Sequence, residues 1–205
     1  MTENKKQKII NAAIKVFSKH GYERGTVSEI ANQANIAKGS FYHYYNSKEE
    51  IVYDLFKMIF DKFMDSWGTI IEENMPPEKK IELLIDRSFD DIIEMLEEKN
   101  ATSLILIFEI MFFLYRKSLK TGKENVIEKY FIKYYDILKP IFKEGQKAKI
   151  FRQDIEPAYL AYLFFSMVDG FGLHFMMQKD NFDTEKSRKY LKSILLEGLI
   201  KNKGE

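Results

Sequence analysis

The stretch Thr26-Val-Ser-Glu-Ile-Ala-Asn-Gln-Ala-Asn35-Ile-Ala-Lys-Gly-Ser-Phe-Tyr-His-Tyr-Tyr45-Asn-Ser-Lys-Glu-Glu50 decides the fold. Thr26 and Glu29 have capping-box spacing, so hydroxyl and carboxylate can each satisfy a backbone donor left over at a helix start. Ile30, Ala31 and Ala34 then supply a small apolar face suited to close helix packing. Asn35 stands where this first helix has to stop, because asparagine tolerates the left-handed backbone of a C′ position. After Ile36, Ala37 and Lys38 a second short helix begins and runs to about Tyr45. At about 100° per residue, Phe41 and Tyr45 share one side of it, while Gly39, Ser40, Tyr42 and His43 fan over the other. Ser47 and Glu50 repeat the capping-box spacing and open a long helix with Lys48 in its first turn. A cation there opposes the helix dipole, whereas a phosphate held by backbone donors and a lysine suits such a helix start. Two short helices, a tight turn and a third helix start spell a helix-turn-helix.

The segment resembles the DNA-binding domain of the TetR family of transcriptional regulators. The resemblance rests on Thr26, Ile30-Ala31, Ala34, Ala37-Lys38-Gly39-Ser40, Phe41-Tyr42-His43-Tyr44-Tyr45 and Ser47-Lys48-Glu49-Glu50, all in register over about 25 residues. It implies that Lys38, Gly39, Ser40, Tyr42 and His43 face the major groove and its flanking phosphates, with Thr26 and Lys48 on backbone phosphates. Phosphate contacts position such a module and base-edge contacts specify the sequence; His43 and Ser40 suit base edges, Tyr42 and Lys48 phosphates. Two positions depart from the family pattern: Asn35 replaces the usual Gly, and Tyr45 replaces the commoner Phe, so its hydroxyl needs a partner or the surface.

Composition narrows the remaining possibilities. The 205 residues allow one large or two small domains, and an apolar content of 45% is enough for a core, which excludes a disordered chain. The net charge of +1 is uninformative, but residues 1–50 carry eight Lys/Arg against five Asp/Glu and the rest 24 against 26. A mildly basic head on a slightly acidic body is expected. Without cysteine, neither disulfides nor thiolate metal sites can form, which fits a reducing cytosol. No signal peptide follows Met1, and the apolar stretch Leu104–Tyr115 is too short and too interrupted by Glu109 to span a bilayer. A cytoplasmic protein with no membrane partner is expected.

Taken in order, the chain reads as helix throughout, with no strand pattern. Residues 5–20 carry Ile9, Ala13, Val16 and Phe17 on one stripe with Ile10 and Ile14 beside it, and Gly21 ends them. Helices follow at about 47–73, with Ile51, Leu55, Ile59, Phe63 and Trp67 every fourth residue, and at 77–98, ended by Lys99-Asn100. A third, at 102–119, is apolar almost all round and should be buried on most sides. The helix at 123–146 contains Pro140, which should kink it. A polar connector with Gly145, Arg152-x-Asp154 and Pro157 matches a second, looser pattern of the same family. Helices at 157–178 and 184–202 complete the chain.

The expected architecture is all-α with about nine helices: a three-helix head at 1–46 and an effector-binding and dimerisation body at 47–205. A head of about 46 residues is too small to be stable alone and should lean on the body. Apolar surface and glycines in the last two helices suit a homodimer through a four-helix interface. The family keeps a small-molecule cavity in the body, and Phe63, Trp67, Phe89, Phe108, Phe112, Tyr115, Tyr134 and Phe165 are candidates to line it, though each could equally be ordinary core. Glu109 either snorkels to solvent or pairs with Arg116 or Arg87, or is a buried acceptor facing the cavity; Asp169 poses the same choice. His20, His43 and His174 have no companions at metal spacing, and no catalytic motif or cofactor signature is present. The expected function is a ligand-released repressor on a palindromic DNA operator. The other two readings are a DNA-binding dimer without a small-molecule effector, and a lipid or small-molecule binder that does not bind DNA.

Overall fold

A computed structural model describes residues 5–97, 104–122, 125–178, 181 and 183–200. Among them are nine helices: α1 Lys5–Arg24, α2 Val27–Gln33, α3 Lys38–Tyr42, α4 Lys48–Glu72, α5 Pro77–Glu97, α6 Leu104–Thr121, α7 Val126–Lys147, α8 Pro157–Met177 and α9 Thr184–Leu199. The expected stop at Lys99-Asn100 lies outside the described residues. The chain forms two compact units, residues 1–62 with 94–127 and residues 63–93 with 128–205.

In the first unit, α1 packs on α2 and α6, and α2 packs on α3. The stripe Ile9, Ile10, Ala13, Ile14, Val16 and Phe17 is buried, as are Ile30, Ala31, Phe41 and Tyr45 from the helix-turn-helix and Ile51, Val52, Leu55 and Phe56 from α4. Gly21 interrupts α1 with φ 75°, ψ 160°, a backbone that other residues adopt at a cost. Tyr45, the departure from the family's Phe, keeps its ring buried and donates its hydroxyl to Asp54 Oδ2 at 2.9 Å. Burial pushes the Asp54 carboxyl up. Lys6, with Nζ at 2.6 Å, and the Tyr45 hydroxyl outweigh it and hold the group below its ordinary value.

α6 corrects an expectation. Leu104, Leu106, Ile107, Ile110 and Leu114 are buried, but Ile105, Phe112, Tyr115 and Leu119 stand 48–68% exposed. A helix apolar all round satisfies its composition by burial or by a face left for something else, and hydropathy alone does not distinguish the two.

The second unit is built on aromatic packing. Trp67 stacks on Phe165 with centroids 5.3 Å apart, and Tyr134 and Phe164 close round the indole. Phe89 stacks on Phe171 at 4.1 Å. Acidic α5 is tied to basic α9, where Arg188 reaches Asp90 and Lys192 reaches Asp86, each at 2.6 Å. α7 is assigned as one helix through Pro140. The 145–157 connector carries an Arg152–Asp154 ion pair, in which the guanidinium holds the Asp154 carboxyl down to about 2. By length and composition α8, and not Leu104–Tyr115, could cross a membrane, but Leu160, Ala161, Phe164, Phe165, Val168 and Phe175 of α8 are buried in the fold instead.

Candidate nucleic-acid interface

Local chemistry sets each joint of the helix-turn-helix. At the start of α2 the capping box is complete: the Glu29 N–H donates to Thr26 Oγ1 at 3.2 Å, and the Thr26 N–H donates to Glu29 Oε2 at 2.8 Å. Hydrogen bonds from the Thr26 hydroxyl and N–H hold the exposed Glu29 carboxyl below its ordinary value. At the end of α2, Asn35 adopts φ 55°, its N–H donates to Asn32 O, and the Ile36 N–H donates to Ala31 O. That is the Schellman pair of bonds, made with asparagine in the glycine position. The second cap is rearranged. The Glu50 N–H donates to Ser47 Oγ, but the Glu50 carboxylate accepts from the backbone and side chain of Asn46, one residue earlier than the box predicts.

These joints hold α3 with one side in and one side out. Phe41 is fully buried, Lys38, Gly39, Tyr42 and His43 are exposed, and Ser40 is half-buried. Thr26 is exposed at the start of α2. The outward surface thus offers a cation, a phenol, an imidazole, a hydroxyl and a stretch of bare backbone, the groups from which phosphate and base-edge contacts are made.

Lys48 has a task that its position in the sequence does not reveal. Its Nζ donates to Tyr22 O at 2.7 Å and Glu23 O at 3.0 Å and lies 4.4 Å from the Tyr22 ring centroid. The ammonium therefore ties the start of α4 to carbonyls after the Gly21 break. Lys48→Ala is expected to cost about 1–2 kcal/mol of stability in a thermal melt, as partly exposed charged hydrogen bonds do. If the third ammonium proton also reaches a DNA phosphate, the salt slope of DNA binding falls by about 1. An unchanged slope removes Lys48 from the phosphate contacts.

Glu109 is exposed, as its solvent-facing alternative has it, but its partner is a backbone N–H and not an arginine. Its carboxylate accepts the Tyr22 N–H at 3.1 Å, and its Oε1 would lie 3.4 Å from a Cβ placed on Gly21. Beside it, the Tyr22 ring meets Phe113 at 4.4 Å and Lys117 pairs with Glu49. This joint of α1, α4 and α6 joins residues 87 apart, and no spacing in the sequence marks it. Of the other candidate cavity residues, Phe108, Phe112 and Tyr115 stand on α6 in the same unit, Phe108 stacked on Phe112 at 6.4 Å. Phe63, Trp67, Phe89, Tyr134, Phe165 and Asp169 belong to the second unit, which brings Trp67, Tyr134 and Phe165 together. Asp169 stands on the exposed stripe of α8, where loss of hydration among its neighbours pushes its carboxyl up to about 6.

Residues 9–55 match the family described as bacterial regulatory proteins, tetR family, and residues 56–198 match the YsiA-like protein, C-terminal region. The fatty acid metabolism regulator protein of Bacillus subtilis (strain 168) is 25% identical over 196 residues, covering 95% of each chain. Two solved structures share the fold. The fatty acid degradation regulator FadR from Bacillus halodurans has a TM-score of 0.75 at 24% identity, over 96% of each chain. FadR from Bacillus subtilis in complex with stearoyl-CoA has a TM-score of 0.68 at 24% identity, over 94% of this chain and 98% of that one.

Proposed function

Because this chain belongs to the TetR family of bacterial regulatory proteins, we propose that it represses transcription as a homodimer on a palindromic operator and is released by an acyl-type effector. It is a DNA-binding regulator and not an enzyme. The observation that carries the DNA reading is the division of α3, with Phe41 sunk in the core and Lys38, Gly39, Tyr42 and His43 outward. We assign DNA contact to these four residues with Thr26, Ser40 and Lys48, within a head of residues 1–46. Effector binding and dimerisation fall to residues 47–205, in the cytoplasm and away from membranes.

Dimerisation through the last two helices is supported by the surface they leave open. Tyr159, Tyr162, Leu163 and Met177 of α8 and Tyr190 and Ile194 of α9 are 46–67% exposed. Such a concentration of large apolar side chains favours a self-complementary partner. The effector class is supported by the name of the B. subtilis relative, a fatty acid metabolism regulator, and by the stearoyl-CoA held by a protein of the same fold. Within this chain, Trp67 adds a chemical hint. Its Nε1–H is buried inside the Tyr134, Phe164 and Phe165 cluster without an acceptor among the described residues. A buried donor left unpaired costs about 1–3 kcal/mol, which a ligand carbonyl would recover. Within the second unit, Phe63, Phe89 and Asp169 join Trp67 as proposed effector contacts; Phe108, Glu109, Phe112 and Tyr115, proposed likewise, belong to the first unit.

Release follows if the effector prefers a conformation with poor DNA affinity, with α4, which runs from residue 48 to 72, as the element shared by both units. Selection from random duplexes with the purified protein tests both halves. The enriched duplexes should carry an inverted repeat with half-sites about 34–36 Å apart. Palmitoyl-CoA should weaken binding by about 5- to 150-fold. No enrichment over random duplex would remove the DNA reading, and enrichment without release would remove the acyl effector.

A further inference from the structure

A groove of about 650 Å³ opens in the first unit between the end of α1 and α6. Three cations on its walls, Arg24 on α1 and Arg116 and Lys120 on α6, are exposed and have no ion pair or hydrogen bond within the described residues. Arg116 and Lys120 are four residues apart, so they lie on one helix face about 5–6 Å from each other. Of the carboxylates that share the groove, Glu49 is paired with Lys117, while Glu109 accepts the neutral Tyr22 N–H and keeps its charge. Among the described lining residues, Glu23 and Glu109 are two carboxylates without a cation partner, against three cations without a carboxylate partner. One wall is apolar. Phe112, 65% exposed, lines the groove one turn before Arg116. Tyr115 and Leu119, also exposed, continue that stripe along α6 at helical spacing.

We propose that this groove binds the phosphate-bearing head of an amphipathic small molecule, with Arg24, Arg116 and Lys120 on the phosphates and Phe112 at the start of its apolar part. Three cations from two helices exceed what a single carboxylate needs, and the planar fork of arginine fits phosphate oxygens in pairs. The inference rests on the acyl-type effector proposed above and specifies the head group, a polyphosphate such as that of a coenzyme A thioester rather than a free fatty acid. Such a head would sit on the joint where Glu109 and Phe113 hold Tyr22. DNA phosphates are the other source of the same chemistry, and the test separates them.

Calorimetric titration of the full chain and of Arg116→Ala/Lys120→Ala, with palmitoyl-CoA, coenzyme A and palmitate, decides the matter. A parallel titration uses the selected operator duplex without effector. Both side chains are exposed, so the variant should melt as the parent does. Palmitoyl-CoA and coenzyme A should each bind the variant at least about tenfold more weakly, with palmitate and duplex unchanged. Equal binding of palmitoyl-CoA by both proteins overturns the proposal and leaves the acyl reading standing. Loss of duplex affinity alone gives the cations to DNA and overturns it too. If palmitoyl-CoA and palmitate fail to bind the parent, the acyl reading falls and coenzyme A alone decides. Binding that the variant loses keeps the groove as a phosphate site, and no binding at all overturns it.

Discussion

Gly39→Leu is expected to leave the melting temperature unchanged or slightly raised while lowering operator affinity by about ten- to a hundredfold. The expectation starts from an empty space. A Cβ added at Gly39 would meet nothing within 4 Å, and the residue is exposed at the second position of α3 with no positive φ. Neither packing nor backbone conformation requires glycine there. In a helix, glycine is worse than leucine by roughly 0.5–1 kcal/mol, so the fold alone would favour the substitution. What glycine provides is bare backbone on the surface shared by Lys38, Tyr42 and His43, where a partner can approach closely. A leucine side chain would hold that partner away and break several contacts, each bidentate base contact being worth about 1–3 kcal/mol. The thermal melt is the control, and fluorescence anisotropy on the selected duplex is the measurement. Undiminished affinity in a normally folded variant would mean that α3 does not lie against DNA.

The helix-turn-helix was legible because its joints are local. Thr26 with Glu29, and Asn35 after Ala34, are chemistry within a few residues, and the structure builds both as their spacing requires. The buried stripe of α1 was legible for the same reason, since 3.6-residue periodicity survives any tertiary arrangement. What was not legible is long-range. The sequence predicts a head too small to stand alone but not where it leans, which is α1 against α6 in one compact unit. The bond from Tyr22 to Glu109 depends on a backbone N–H freed by the Gly21 break, which carries no residue-type signature. α6 was misjudged because hydropathy counts apolar residues and does not say what covers them. The tie from Lys48 to the Tyr22 and Glu23 carbonyls was not legible, because they lie 26 and 25 residues earlier.

Gly145→Ala should destabilise the second unit by about 3 kcal/mol or more. The new Cβ would fall far inside contact distance of Cδ2 and Cε2 of Phe151. Phe151 cannot retreat, because the chain holds it from both sides. Its N–H and that of Ile150 both donate to Gly145 O, and Lys149 makes the intervening turn at φ 59°. Beyond it, the Arg152 N–H donates to Leu199 O at 2.8 Å, and Phe151 pairs with Ile200 as an isolated bridge. The ring is fully buried, with Phe142 at 6.2 Å. Overpacking a rigid site typically costs about 1–3 kcal/mol, and a ring pinned by backbone on both sides belongs at or above the upper end. For a chain of this size that corresponds to a melting point lower by about 6–12 °C in calorimetry. A second substitution identifies the cause. Phe151→Ala alone should cost about 3–5 kcal/mol, but added to Gly145→Ala it should cost much less, because the methyl then enters the vacated space. Strict additivity would show that the glycine is needed for its backbone and not for the ring above it. Since the connector ties α7 to the end of α9, the same variant should loosen α9, and with it the surface through which two copies are proposed to meet.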